Sequence, residues 1–189
     1  MDHFFEIHLC QDPEFKSQVL IDTLYAKLHK ALVTLHSQQI GVSFPAHTNK
    51  HLGNVMRLHG TKPELTQLHQ SAWLGSMVDL LEVCGLSSIP ATDQHRVVRR
   101  VQVQSSPERV KRRLVKRMMM REGIAEDQAV ARVEVKPAEL LQVPFVTLQS
   151  SSTRQHFRLF ISHEQVQQNP VVGTFSAYAL SSSATVPWF

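Results

Sequence analysis

Residues 5–35, FEIHLCQDPEFKSQVLIDTLYAKLHKALVTL, change their hydrophobic period partway along, and that change decides the fold class. Phe5, Ile7 and Leu9 alternate with Glu6 and His8, the pattern of a half-buried strand. Leu20, Leu24, Leu28, Leu32 and Leu35 then recur at the spacing of an amphipathic helix. Further along, Ile40, Val42 and Phe44 alternate up to Pro45, and residues 54–59 read as another strand, closed by Gly60. Thr61-Lys62-Pro63-Glu64 is a capping box with proline in the first turn. It predicts a second helix carrying Leu65, Leu68, Trp73, Met77 and Leu81, followed by a short apolar run from Leu86 to Ile89 that ends at Pro90.

The resulting order, βαββαβ, is that of the ferredoxin-like (RRM-like) fold, an α+β arrangement that serves many functions. Residues 91–95 read as a connector, after which arginine and valine dominate. This places a ferredoxin-like domain over residues 1–94 and a smaller α+β domain over residues 95–189. The second domain should hold a strand (96–104), a basic helix (about 106–120) capped by Ser105 or Ser106, and a shorter helix near Ile124 to Val133. A hairpin from Phe145 to Ile161 and a last strand around Phe175 to Leu180 complete it.

Charge is concentrated. Residues 96–121 hold ten Lys or Arg against the single acid Glu108, a net +9, which leaves −5 for the rest of a chain whose total is +4. A polyanion is the natural partner of such a segment. No stretch approaches the roughly 20 apolar residues a membrane span needs, and MDHFFEIHL lacks the layout of an export signal, so the sequence predicts a soluble, cytoplasmic protein. Cys10 and Cys84 stand far apart and outside any C-x-x-C pair, which gives neither a disulfide nor a zinc site support and leaves buried or incidental thiols.

On the strand 96–104, alternation puts Arg100 and Gln102 on one face. Arginine can grip guanine O6 and N7, and glutamine can grip adenine N6 and N7, so the pair can read adjacent bases; a solvated edge strand is the other reading. On the helix, Arg109, Arg112, Arg113, Lys116 and Arg117 form one cationic face, with Val110, Leu114 and Met118 on the apolar one. Like charges at this spacing repel one another, and a bound polyanion explains them. Side chains cannot enter the major groove of long duplex RNA, so a basic helix beside a base-reading strand suits the end of a short hairpin. Phe157 is either a stacking platform or a core residue beside Leu159. His29 lies on the flank of the first helix's apolar stripe, within reach of a neighbouring surface.

These residues carry a resemblance that runs end to end. Met1-Asp2-His3, Lys27-Leu28-His29, Ile40 to Pro45, Arg100-Val101-Gln102, Pro107-Glu108-Arg109, Pro144 to Leu148, Gln155 to Ile161 and the final Val186-Pro187-Trp188-Phe189 stand in the order of the Csy-type endoribonucleases of type I-F CRISPR systems. The resemblance implies that His29 and Ser150 are the catalytic pair with Tyr178 beside His29, and that Ser152 helps place the scissile phosphate. It implies further that Arg100 and Gln102 read the lowest base pairs, that Phe157 stacks beneath them, and that Arg112, Arg113, Lys116 and Arg117 enter the groove. Lys116 stands where the family pattern often has arginine, and Arg154 replaces a glycine of the serine loop. The expected partners are the hairpin of CRISPR repeat RNA and the other subunits of the type I-F surveillance complex. No metal or cofactor is expected, because RNA brings its own nucleophile, the 2′-hydroxyl, and the sixteen acids are scattered. A non-catalytic subunit that caps the guide RNA is the alternative.

Overall fold

The computed structural model describes residues 1–102, 107–133 and 143–189; the side chains of residues 107–110 are not among those described. The described chain is mixed α+β with two antiparallel sheets and forms two compact units, Met1–Val101 with Val143–Phe189, and Gln102–Gln142.

In the first unit, strand β1 (His3–Leu9) buries Phe5, Ile7 and Leu9, as their alternation predicts. It pairs antiparallel with β3 (Val55–Gly60) on one side and β4 (Leu81–Val83) on the other, and β2 (Gly41–Ser43) adds beyond β3. Helix α1 (Ser17–Leu35) buries Leu20, Leu24, Leu28 and Leu32 in the common core. It ends at His36, whose left-handed backbone (φ 51°) lets the next amide, of Ser37, reach back to Leu32 O at 3.3 Å. Helix α2 (Lys62–Gln70) starts at Thr61, which accepts from the Glu64 amide at 3.5 Å.

The sequence reading departs from the structure after α2. The helix stops at Gln70; Ala72 (φ 48°) and Gly75 (φ 53°) turn the chain into a short 3₁₀ segment, Gly75–Leu80, and Leu81 belongs to β4. The run 86–89 supplies only the two-residue β5 (Ser87–Ser88), which also pairs with β1. Apolar spacing continued at a helical period through this stretch, but two left-handed residues end the hydrogen-bond ladder.

The second sheet runs in the order β7 (Phe145–Gln149), β8 (His156–His163), β6 (His95–Val101) and β9 (Thr185–Pro187). Strand β6 is shorter than expected: it ends at Val101, Gln102 follows as exposed non-strand backbone, and positions 103–106, including both expected helix caps, lie outside the described residues. Residues 175–180 form no strand. They make a turn in which Ala179 N donates to Ser176 O and Ser176 N to Leu180 O, both at 2.8 Å, with Ala179 at φ 56°. The turn is held at both ends, through Phe175 N to Gln38 O (2.9 Å) in the α1–β2 connection and Val42 N of β2 to Ala179 O (3.0 Å).

Helix α1 serves both sheets. Asp22 Oδ1 accepts from Thr147 N at 2.9 Å and Gln18 Nε2 donates to Phe145 O at 3.1 Å, so polar side chains of the helix occupy backbone groups of the outer strand β7. Where β2 approaches β9, Gly41 leaves no room: a Cβ there would stand 2.6 Å from Val186 Cγ1 and 2.8 Å from Phe175 Cε1.

In the second unit, α3 (Pro107–Glu122) packs on α4 (Glu126–Arg132) through Val115, Ala129 and Val133, with Met118 and Met119 alongside. The apolar face of α3 is thus centred on Val115 and not on Leu114, which is 37% exposed. Arg112, Arg113, Lys116 and Arg117 are exposed and make no ion pair among the described residues; the side chain of Arg109 lies outside them.

Buried and half-buried histidines join the segments of the first unit. His163 Nε2 accepts from Phe44 N at 3.2 Å, and its ring stacks on His47 at 3.8 Å, with Trp188 edge-on to both. Burial, then His47 and Arg96, push the His163 pKa down to about 3; burial and Arg57 do the same for His59, which meets Ser43 Oγ at 2.8 Å. The unfolded chain takes up these protons near pH 6.5 and the folded one only near 3, so between those values unfolding binds protons and stability falls as the pH falls. Each group contributes a slope of up to about 1.4 kcal/mol per pH unit. Urea midpoints measured from pH 7 to pH 4 should decline, and His163→Gln should flatten the decline; an identical slope in that variant would remove His163 from the account.

Candidate active site

A cleft of about 500 Å³ opens between α1 and the β7–β8 loop, with His29, Lys30, Ser150, Phe157 and Tyr178 on its walls. Helix α1 brings His29 and Lys30. The hairpin brings Ser150 and Phe157, and the turn over residues 175–180 brings Tyr178.

His29 is held firmly. Its Nδ1 lies 2.8 Å from Ala177 O, and because a carbonyl can only accept, Nδ1 carries the proton. In the neutral ring Nε2 then has the free lone pair. The ring stacks on Tyr178, centroids 4.0 Å apart and planes 9° apart. One residue further on, Tyr178 O accepts from the buried Tyr25 hydroxyl at 2.7 Å. Burial, and secondarily Tyr178, raise the Tyr25 pKa well above 10, so that hydroxyl stays a donor. Two side chains of α1, four residues apart, therefore grip consecutive residues of one turn.

The serine loop is also fixed by its own bonds. Ser150 N donates to Gln155 O and Arg154 N to Ser150 O, both at 2.9 Å, while Gln149 Nε2 donates to Arg154 O at 3.1 Å. Ser150 Oγ accepts from Thr153 N at 3.3 Å and lies 3.1 Å from Ser152 Oγ. Arg154, standing where the family pattern has glycine, takes the left-handed conformation (φ 57°) that glycine adopts without steric penalty. The loop closes around that residue all the same.

Of the residues singled out from sequence, the cleft brings together His29, Ser150, Phe157 and Tyr178, with Ser152 one hydrogen bond away. Phe157 is half-buried against the core and also lines the cleft. Arg100 is exposed on β6 opposite Ile161, away from the cleft walls; Arg99 beside it pairs with Glu164 at 2.6 Å. Lys30, Gln149 and Ser151 were not singled out, although Lys30 follows His29 and the others flank Ser150. Tyr25 and the Ala177 carbonyl left no trace in the sequence, since a main-chain oxygen carries no residue signature.

Among the described residues one group could hold a metal ion: ligand atoms of Glu6, His8 and Cys84 lie within 4.8 Å of one another. Antiparallel pairing of β1 with the chain leaving β4 assembles it, with Cys84 N bonded to Glu6 O at 2.8 Å. Glu6 is already engaged, by Arg57 at 2.7 Å and His8 at 2.9 Å, and none of the three lines the cleft. Cys10, expected to be buried or incidental, is exposed; both thiols are free. No described helix is long and apolar enough to cross a membrane.

Fold and cleft together define a mixed α+β protein with a positioned histidine and serines lining one cleft, and with exposed cations on a separate helical unit. The model of the family Cas_Csy4, CRISPR-associated protein, matches residues 4–189. The chain is 40% identical over 189 residues to the "CRISPR-associated endonuclease Cas6/Csy4" of Escherichia coli (strain UTI89 / UPEC), and 41% identical over 191 residues to the protein of that name from Pseudomonas aeruginosa (strain UCBPP-PA14). In both pairs all of each chain is covered. The chain belongs to the Cas_Csy4 family of CRISPR-associated proteins.

Replacing Tyr25 by Phe removes the donor to Tyr178 O and should destabilise the protein by about 1 to 3 kcal/mol. Chemical denaturation measures this directly. A variant as stable as the parent would show that the turn holds its position without this bond.

Proposed function

We propose that this protein is an endoribonuclease that binds the hairpin of CRISPR repeat RNA and cuts the precursor at the 3′ base of the stem. The observation that carries the proposal is the free Nε2 of His29, in a ring fixed by Ala177 O and Tyr178, in one cleft with Ser150. The printed name of the two relatives, a CRISPR-associated endonuclease, supports the same reading.

In this mechanism RNA supplies the nucleophile. His29 Nε2 takes the proton of the 2′-hydroxyl while Ser150 holds that hydroxyl in line, and Ser152 helps to place the phosphate. The new bond joins O2′ to phosphorus, the P–O5′ bond breaks, and the departing O5′ acquires a proton. The products are a 2′,3′-cyclic phosphate and a 5′-hydroxyl. No step calls for a metal. Tyr178 keeps the histidine ring in its plane, and Phe157 stacks beneath the last base pair.

The domain reading has the first sheet and its helices, residues 1–94, as a ferredoxin-like domain; the strand order β2-β3-β1-β4 with α1 and α2 as crossovers supports it. Residues 95–189 are the RNA-recognition domain. There Arg100 and Gln102 read base edges, while Arg109, Arg112, Arg113, Lys116 and Arg117 contact phosphates in the groove. Lys116 does so as a point charge where arginine would offer a fork. The enzyme works in the cytoplasm and keeps its cut hairpin as a subunit of the type I-F surveillance complex.

Three reactions test the chemistry. Cleavage of repeat RNA should continue in excess EDTA; activity lost there and restored by magnesium would exclude the metal-free route. His29→Ala should stop cutting and leave hairpin affinity nearly unchanged. RNA carrying a 2′-deoxy sugar before the scissile phosphate should bind and stay whole, and its cleavage would rule out 2′-hydroxyl attack.

A salt titration with cognate and base-altered stems tests the division of labour. Arg100→Ala should cost about 1 to 3 kcal/mol on the cognate stem and little on the altered one. Lys116→Ala should weaken both and flatten the salt slope by about one unit. Equal losses on both stems for Arg100→Ala would refute base reading at that residue.

A further inference from the structure

The wall of the cleft formed by α1 is shared with a second depression. Lys30 and Thr34 line both; beyond them the second groove, about 320 Å³, is bounded by Lys27, Ala31, Leu35, Ser71 and Trp73. Lys27, Lys30 and Thr34 stand at i, i+3 and i+7, one stripe of the helix, so the two hollows are successive stations across α1. Neither is lined by an acid, and neither Lys27 nor Lys30 forms an ion pair among the described residues. The lysine is also placed: a methyl group on Gly75 would stand 3.4 Å from Lys27 Nζ, which locates the ammonium beside that turn. Trp73, half-buried against the core, sits between the two left-handed residues Ala72 and Gly75 and contributes an aromatic surface to the groove.

Two unpaired cations and an aromatic ring, continuous with a cleft that handles a phosphodiester, form a site for single-stranded nucleic acid: the charges meet successive phosphates, and a base stacks on the ring whatever its identity. We propose that this groove binds the single-stranded RNA that continues past the scissile phosphate, with Lys30 and Lys27 on its backbone and Trp73 under one of its bases. The inference rests on the cleavage reading above. If the stem ends at the cut, the nucleotides before the scissile phosphate are paired and those after it are single-stranded, so the latter must leave the cleft over a neighbouring surface. The groove is the neighbouring surface with the matching charge.

The test compares two hairpins, both made uncleavable by a 2′-deoxy sugar before the scissile phosphate: one ends a single nucleotide past that phosphate, the other continues for about six nucleotides, the span of a small single-strand site. The full-length protein should bind the longer RNA about tenfold more tightly, within the range expected for one stacked base. Lys27→Glu and Trp73→Leu should each remove that difference while leaving affinity for the short RNA unchanged. Because Trp73 also packs on the core, the surface variant Lys27→Glu is the decisive one. Equal affinity of the parent for both lengths, or a difference that survives Lys27→Glu, overturns the groove assignment alone. A parent protein that binds neither RNA overturns the hairpin reading, and the groove assignment falls with it.

Discussion

The pair of hydrogen bonds from α1 to the turn over residues 175–180 is the constraint on which the rest of the site depends. Tyr25 and His29 stand one helical turn apart, and each reaches a carbonyl of the same short segment, at Tyr178 and Ala177. That segment is in turn tied to Gln38, between α1 and β2, and to Val42 of β2. A helix of one sheet thereby fixes a loop that lies between two, and the position and tautomer of His29 follow from the same contact. Were the turn displaced, the imidazole would lose its orientation, its stacking partner and its fixed tautomer together.

Charge and burial are sorted along the chain in a way that gives each part a separate task. Buried polar groups of the first unit, Arg57, His59 and Ser43, are spent on holding its segments together: Arg57 pairs with Glu6, bonds Phe189 O at 2.7 Å and lies 3.9 Å over the Phe189 ring. The described cations of α3, from Lys111 onward, do none of this; they are exposed, and the helix packs on α4 by valine, alanine and methionine instead. Positive charge left free of internal duties is available to an external anion, which is the physical sense of the uneven charge along the sequence.

What could be read from the sequence was what depends on period and on side-chain chemistry. β1, α1, the hairpin of β7 and β8, and the starts of α2 and α3 were legible because apolar spacing, the Thr61 cap and the polar loop each leave a local mark. The stretches 71–89 and 175–180 were not, because there the backbone enters the left-handed region at Ala72 and Ala179, residues that carry no turn signal, and at Gly75, a lone glycine within an otherwise helical spacing. On α3 the expected apolar face holds at Met118 but not at Leu114, which is exposed while Val115 is buried, since the two are equally apolar and only the partner α4 chooses between them. At the cleft, family motifs pointed to His29, Ser150, Phe157 and Tyr178. The carbonyl that orients His29 and the groove beyond Lys30 arise from tertiary placement.

Gly41 shows how an ordinary residue can be restricted by its neighbours' volume alone. Its backbone is not in the left-handed region, so any amino acid could adopt the torsions; yet a methyl group would collide with Val186 on β9 and Phe175 at the head of the turn. Tolerance at position 41 is therefore a gauge of how closely the two sheets can approach. A shorter residue at 186 would relieve only one of the two collisions, so alanine at 41 needs room at both 175 and 186, and variation at these three positions should be coupled across sequences that keep the same seam.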